Sequence, residues 1–355
     1  MATKKIMLWP SARSKFVKDG NMKILMQALW VLTIFMVLQY YYLFAFMYAV
    51  KLLLMVVLSI IVTRETEILF YTHDKDIDRQ TAKDLIKKSY PEVTAMIYAL
   101  LIPVGTPLWL VGLGAALATL LGKLLFGGFH HMVFHSSLVG VIVVTLGWSQ
   151  IVDGVAFMTS FDNYILELLF DNSFFNNTLA IGGNYDPATA ANALAALTDE
   201  TVPFYAIGEL FVGLNPGVVG SALVLLLMFV YFVVKKVIDW KIPVIATATF
   251  VLTAWIVGLV QQQELVYPLY HLFSGSFLFV AIFVMTDPIT TPMPFKGKIV
   301  FGVVVGALTV FIRLAGTHEE GVIFAVLFMS MLTPLLNEVF KEKRKAPVKK
   351  AGAKA

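Results

Sequence analysis

Long apolar runs, punctuated by short polar or proline-containing stretches, recur from residue 24 to residue 337. Each run is of the order needed for a helix to cross a bilayer, roughly 17–25 residues. The hydrocarbon core offers no water to the backbone, so such runs satisfy their own N–H and C=O groups as α-helices. The pattern predicts ten spans, at about 24–40, 43–63, 92–105, 107–126, 135–151, 216–234, 242–260, 268–286, 299–315 and 320–337. The expected fold class is an all-α polytopic membrane protein. Its parts are an N-terminal segment (1–23), a first five-helix group (24–151), a loop (152–214), a second five-helix group (215–337) and a basic tail (338–355).

The two groups share a pattern. "GLGAALATLLGKLLFGG" (112–128) and "GVVVGALTVFIRLAGTH" (302–318) align so that Gly112 meets Gly302, Thr119 meets Thr309 and Lys123 meets Arg313. These are spans four and nine, which run in opposite directions, so the alignment predicts a 5+5 inverted repeat. Such folds place ion or substrate sites near the repeat interface, often at broken helices.

One run ends abruptly. "HLFSGSFLFVAIFVMTDPITTPMPFKGK" (271–298) passes from apolar residues straight to Asp287 and Pro288. Proline lacks the N–H that a continuing helix needs, so span eight should unwind at Asp287. The freed carbonyls, the Asp287 carboxylate and the hydroxyls of Thr286, Thr290 and Thr291 would form a polar pocket for a cation or for the polar edge of an isoalloxazine ring. Equally, Asp287 would cap the next turn and do no more.

Charge orients the spans. Basic residues gather in the segments before span one, between spans two and three, six and seven, eight and nine, and after span ten. By the positive-inside rule these segments are cytoplasmic. The expected placement is the cell (inner) membrane, multi-pass, with both termini cytoplasmic. Residues 124–234 hold no Lys or Arg, which puts the long 152–214 loop outside. Composition agrees: 59% of residues are hydrophobic and 14% charged, with a mean hydropathy of +0.81, against about 25% charged in soluble domains. There is no cysteine, so this chain holds no iron–sulfur cluster or zinc–thiolate site.

Ionisable residues near spans are functional candidates by default: Lys51, Lys123, Glu209, Glu264, His271 and Arg313. Lys51 is read as snorkelling to an interface. In "FHHMVFH", His131 and His135 have the spacing of one helical face, as a metal pair would, although boundary packing explains them as well.

Several motifs, in order, resemble one family. "SGSFLFVAIFVMTDPITTP" resembles the glycine-rich span ending in T-D-P-[VI]-[ST] of RnfD, from the Rnf complex, and of its relative NqrB, from the sodium-pumping NADH:quinone oxidoreductase. "KGKIVFGVVVGALTVFIRLAGTHEEGVIFAVLFMSMLTPLLN", "KKVIDWKIPV" and "TPLWLVGLGAALATLLGKLLFGGFHHMVFHSSLVG" continue the resemblance to this RnfD / NqrB family. The short N-terminal segment favours the Rnf type. His135 and Ser136 stand where the family has Asn and Pro in N-P-A-L-x-G.

The resemblance implies a membrane component of a redox-driven ion-translocating oxidoreductase, Rnf-type (ferredoxin:NAD) or Nqr-type, not active alone. It would relay electrons through flavin, coupled to Na+ or H+ transport, beside the other subunits of the complex. The cofactors implied are FMN, joined through a phosphoester to a Thr on the outer side, and riboflavin. The family's attachment motif is D-x-x-[ST]-x-A-T. The best match, "DPATAANALAAL", supplies Asp186, Thr189 and Ala191, then Asn192 in place of the final Thr. An amide has no hydroxyl with which to form the ester, so attachment is not expected at Asn192. Thr159, six residues after Asp153, and Thr189 are the neighbouring hydroxyls, and flavin bound without a covalent link stays open. Two other readings use the same architecture: a passive transporter resembling a urea channel, and a scaffold component that has lost its flavin.

Overall fold

A computed structural model describes residues 19–43, 46–74, 78–149, 207–212, 221–262, 265–315 and 321–340. They form α1 (Asp19–Leu43), α2 (Phe46–Asp74), α3 (Arg79–Ile86), α4 (Pro91–Leu101), α5 (Leu108–Thr119), α6 (Ser136–Gly147), α7 (Ile207–Val212), α8 (Ala222–Val234), α9 (Lys241–Val260), α10 (Tyr267–Phe273), α11 (Phe277–Phe283), α12 (Phe295–Ala315) and α13 (Gly321–Val339). No strand occurs among the described residues. All ten predicted spans coincide with helix, but the helices are not uniform. Four of them, at Asp19–Tyr41, Lys241–Val260, Phe295–Leu314 and Gly321–Val339, are long and apolar enough to cross a membrane unaided. The others differ for physical reasons.

Span two is longer than its apolar run: α2 continues to Asp74, so Arg64, expected in a loop, lies inside the helix. Its last turns carry Ile68 and Tyr71, on which Ala82 and Ile86 of the short amphipathic α3 pack. Span three is shorter: α4 has 11 residues, about 16 Å at 1.5 Å per residue, half a bilayer core. It ends before Pro103, with Ile102 extended. Span eight, expected as one helix, is two. Ser274–Gly275–Ser276 separates α10 from α11, and Gly275 takes φ 74°, a conformation a side chain would disfavour. Non-helical backbone is tolerated at membrane depth only when protein surrounds it. Correspondingly, every residue of α11 is buried, as is nearly all of α4. The outward faces of α1, α8, α9 and α12 show large apolar side chains such as Leu38, Leu227, Leu259 and Phe311, as suits hydrocarbon.

The two halves pack in the same order. α2 contacts α4 and α5, α5 contacts α6, and α1 and α6 flank α4; likewise α9 contacts α10, α11 and α12, α12 contacts α13, and α8 and α13 flank α11. Two further matches then appear: Tyr90–Pro91 with Tyr267–Pro268, each opening a half-helix, and "PVGTP" (103–107) with "PITTP" (288–292), each following one. Thr119 and Thr309 both bond back to the carbonyl four residues earlier, at 2.8 and 2.7 Å. Glycines let the pairs close. A Cβ on Gly306 would sit 2.5 Å from the Ala246 carbonyl, and one on Gly122 2.5 Å from Ser136 Cα.

The aligned cations do matching work. Lys123 sits in a π-helical turn, Leu120–Leu124, that continues α5. Its buried ammonium donates to Glu67 Oε1 at 2.5 Å and to the Ser89 carbonyl at 2.8 Å, over the Phe129 ring. Buried Arg313 donates to the His271 carbonyl at 2.6 Å and the Ser274 carbonyl at 3.4 Å, over the Phe250 ring. Each cation therefore holds carbonyls at an end of a short element, where a helix or turn leaves them without an intrahelical donor. Because the repeat is inverted, Lys123 lies at the end of the bundle that also carries Asp19, Ser89 and Asp287, here the basic end, and Arg313 lies at the opposite end. Lys51 does not snorkel: it is buried and donates to the Gly105 carbonyl at 3.1 Å.

Two expected outcomes follow from this packing. Gly306→Val should cost roughly 1–3 kcal/mol or more, because its contacts are backbone that cannot yield, whereas Gly147→Ala, with nothing within 4 Å, should stay within about 0.5 kcal/mol; thermal melting in detergent compares them. Lys123→Met should cost about 3–5 kcal/mol by stranding the Glu67 charge, and adding Glu67→Leu should recover most of it, since a buried pair is often replaceable by apolar residues. Melting of the single and double variants decides this.

Candidate functional site

The break predicted at Asp287 is present. α11 stops at Phe283, and 284–294 runs as turns up to α12. Asp287 closes this turn on itself: Oδ1 accepts from Ile289 N at 3.1 Å, and Oδ2 from Thr290 N at 3.3 Å and Thr290 Oγ1 at 2.9 Å. Thr291 Oγ1 donates to the Asp287 carbonyl at 2.6 Å, and Thr286 Oγ1 to the Ile282 carbonyl at 2.7 Å. The segment is also anchored to α13, where Thr333 Oγ1 donates to the Thr290 carbonyl at 3.0 Å and Asn337 Oδ1 accepts from Met293 N at 2.8 Å. The capping geometry is thus real. Both carboxylate oxygens take part in it.

Asp287 also lines a cavity of about 70 Å³ at the basic end, between the two halves. The second half supplies Phe283, Thr286, Asp287 and Pro288; the first supplies Tyr90, Thr94, Phe129, His135 and Ser136; Asn21 and Met22 of α1 form part of the rim. α1 is fixed there by Asn21 Nδ2 donating to the Val237 carbonyl at 3.1 Å and by Tyr90 Oη donating to Asp19 Oδ1 at 2.6 Å. Burial, together with the hydrogen bond to Asp19 and the charge of that carboxylate, pushes the Tyr90 phenol up to about 12, so it stays a proton donor at neutral pH. His135 is the N-cap residue of α6, and Ser136 its first residue. His135 Nδ1 and Ser136 Oγ are buried and have no hydrogen-bond partner. Orphaned buried polar atoms cost on the order of 1–3 kcal/mol each, and two of them beside a carboxylate mark a wall built to meet a polar guest. Phe283, which lines the cavity, stacks on Phe279 one turn earlier in α11 at 4.9 Å, and both are buried.

Size limits the guest. A water occupies about 30 Å³ of liquid, so the cavity takes a few waters or a partly hydrated cation. His131 and His135 do not share a helix: His131 ends a 3-10 turn, Phe129–His131, and the chain is extended before α6. Among the described residues no group of three metal-ligating side chains occurs.

Of the residues singled out from sequence, Thr286, Asp287 and Thr290 come together. Asp186, Thr189, Asn192 and Thr159 lie outside the described residues, as does Glu264. Sequence reading missed Glu67 and Tyr90, and noted Ser136 only as standing in place of a family proline. Glu67 had a signal: Ile68, Leu69, Phe70 and Tyr71 keep the run apolar beyond Arg64. Tyr90 is visible only once it is aligned with Tyr267.

Comparison with known proteins places this geometry. Residues 11–346 match the NQR2, RnfD, RnfE family. The chain is 28% identical over 255 residues to a component of the Na(+)-translocating NADH-quinone reductase of Chromohalobacter salexigens, covering 70% of this chain and 57% of that one, little more than half its length. It is 29% identical to a component of the Na(+)-translocating ferredoxin:NAD(+) oxidoreductase complex of Acetobacterium woodii, covering 71% of each. It is 30% identical to a component of the ion-translocating oxidoreductase complex of Shewanella frigidimarina, covering 69% of this chain and 73% of that one. With nearly its whole length matched, the chain belongs to the NQR2, RnfD, RnfE family.

Proposed function

We propose that this chain is the membrane-spanning component of a redox-driven ion-translocating oxidoreductase of the Rnf or Nqr type, assembled with the other subunits of such a complex and moving Na+ or H+. The observation that carries the reading is the cavity at the repeat interface, where Asp287 meets the unsatisfied His135 Nδ1 and Ser136 Oγ. Asp287 supplies negative charge where a half-helix ends, and turn hydrogen bonds hold the carboxylate still. Phe283, buried on α11, forms part of the cavity wall. The basic end is taken as cytoplasmic, from the lysine and arginine distribution.

Flavin belongs to the same proposal. When bound, it supplies one- and two-electron chemistry that this cysteine-free chain lacks. The chain's own contribution would be to present a polar wall at His135, Ser136 and Asp287 to a ring edge. Covalent FMN on the 152–214 loop is not expected at Asn192, for want of a hydroxyl there.

Asp287→Asn is the direct test, made in the whole complex. The amide oxygen can still accept from Ile289 N, so one of the two backbone bonds of the turn is kept while the charge is lost. Ion uptake into vesicles is expected to fall at least about tenfold, the size of the loss of roughly one charge-assisted contact, with the complex still assembled. Unchanged uptake would leave Asp287 a cap and remove the cavity from the ion path. A visible spectrum of the purified complex and ultraviolet fluorescence on a denaturing gel address the flavin: a yellow protein with a dark band for this chain is expected, and a fluorescent band would show a covalent link at Thr159, Thr189 or elsewhere.

A further inference from the structure

The turn between α8 and α9 meets the start of α12 at the basic end. Asp239 joins them: it accepts from Lys241 N at 3.2 Å and from the Lys298 ammonium, and the Lys241 ammonium lies 4.0 Å from its Oδ1. The same Lys241 ammonium sits over the Phe295 ring, 5.8 Å from its centroid. Residues 235–241 and 293–298 therefore form one surface, which holds five lysines and the single carboxylate of Asp239. Lys241 and Lys298 take up that carboxylate. Lys235, Lys236 and Lys296 are exposed and, among the described residues, enter no ion pair. Neither α9 nor α12 has an acid in its first turn to offset the lysines that stand there against the helix dipole. The turn is also held in place: Val237 gives its carbonyl to Asn21 Nδ2 at 3.1 Å, and Val237 and Ile238 pack on the core.

Exposed apolar side chains share this surface. Trp240, Met293 and Phe295 lie among the lysines, and Val234, Val244 and Ile299 follow along α8, α9 and α12. Water suits the ammonium groups but not these side chains, and a soluble anion would leave them uncovered. A phospholipid of net negative charge serves both: its phosphate meets the ammonium groups while its acyl chains lie along the apolar side chains. Aromatic side chains gather at this depth of a bilayer, and basic surfaces on the cytoplasmic side attract anionic headgroups. We propose that residues 235–241 and 293–298 form a binding surface for an anionic phospholipid, with Lys235, Lys236 and Lys296 meeting its headgroup. The inference goes beyond ion transport and does not rest on it. Its test reads lipid binding by the chain alone and gives its answer whether or not the proposed function holds.

The test titrates the full-length chain, in an uncharged detergent, with phosphatidylglycerol and with phosphatidylcholine of the same acyl chains. Melting temperature is read, and bound lipid is counted by native mass spectrometry. Wild type is expected to gain about 4 °C, saturably, with phosphatidylglycerol alone, through binding to the folded state, and to lose part of that gain as salt is raised. A variant combining Lys235→Gln, Lys236→Asn and Lys296→Gln should melt like wild type without lipid. It should bind phosphatidylglycerol at least about tenfold more weakly, since each lysine near an anionic lipid surface contributes roughly fivefold. Asparagine is chosen at 236 because that residue has φ 56°, which asparagine tolerates. A control combining Lys83→Gln, Lys87→Gln and Lys88→Gln removes as many exposed lysines from the basic end and should leave the affinity unchanged. If the first variant does not fold, Lys235→Gln and Lys296→Gln are titrated separately, each expected to lose roughly fivefold. Equal stabilisation of wild type by the two lipids overturns the proposal, as does a control that loses as much affinity as the variant. A variant that keeps wild-type lipid affinity also overturns it, and if that variant no longer co-purifies with other subunits the surface is a protein interface instead.

Discussion

A peptide carbonyl in hydrocarbon must find a donor, and this fold is organised around the few that a helix cannot serve. Where α4, α10 and α11 stop partway, their ends are met by side chains: Lys123 on Ser89, Arg313 on His271 and Ser274, Lys51 on Gly105, Thr333 on Thr290. Three of the four donors are cations, whose bonds to carbonyls are stronger than neutral ones. Their cost is desolvation, which Glu67 offsets for Lys123 through a direct ion pair. The long helices then need only pack, and they do so through glycines that let α5 meet α6 and α9 meet α12.

Inversion distributes these devices between the two faces of the bundle. Lys123 and Arg313 occupy equivalent positions in the two halves and so come to lie at opposite ends. The matched breaks do the same. Because the sequences have diverged, equivalent places are no longer chemically equal: Asp287 stands opposite Ile102, and Thr290 opposite Gly105. Function in such a fold resides in these differences rather than in the shared scaffold.

Much of this was legible in the sequence, for reasons that can be named. Hydrophobic length located the long spans because the bilayer enforces it, and Pro288 marked its break because a missing N–H has one outcome. Lys123 and Arg313 aligned because neighbouring glycines and threonines set the register. What stayed hidden depends on contacts between segments. Lys51 looked like an interfacial lysine, since nothing in α2 indicates that the chain at Gly105 offers a carbonyl. Ser274–Gly275–Ser276 fell inside a single predicted span, and the carbonyls at the interruption are met by Arg313, reaching over from α12. Glu67 was lost because a single arginine seemed to end its helix. The cavity could not be foreseen, because it exists only between halves far apart in sequence.

The short central helices have a consequence for how the protein meets different membranes. α4 and α11 are wrapped by other helices and touch almost no lipid, so their length owes nothing to the thickness of the surrounding bilayer. A thicker or thinner membrane is accommodated by the tilt of the peripheral helices α1, α9 and α12, at a modest cost for each ångström of mismatch. The broken segments are thereby insulated from their host: growth temperature or lipid composition can change the hydrophobic span around the protein while the spacing of carbonyls, hydroxyls and charges at its centre stays fixed.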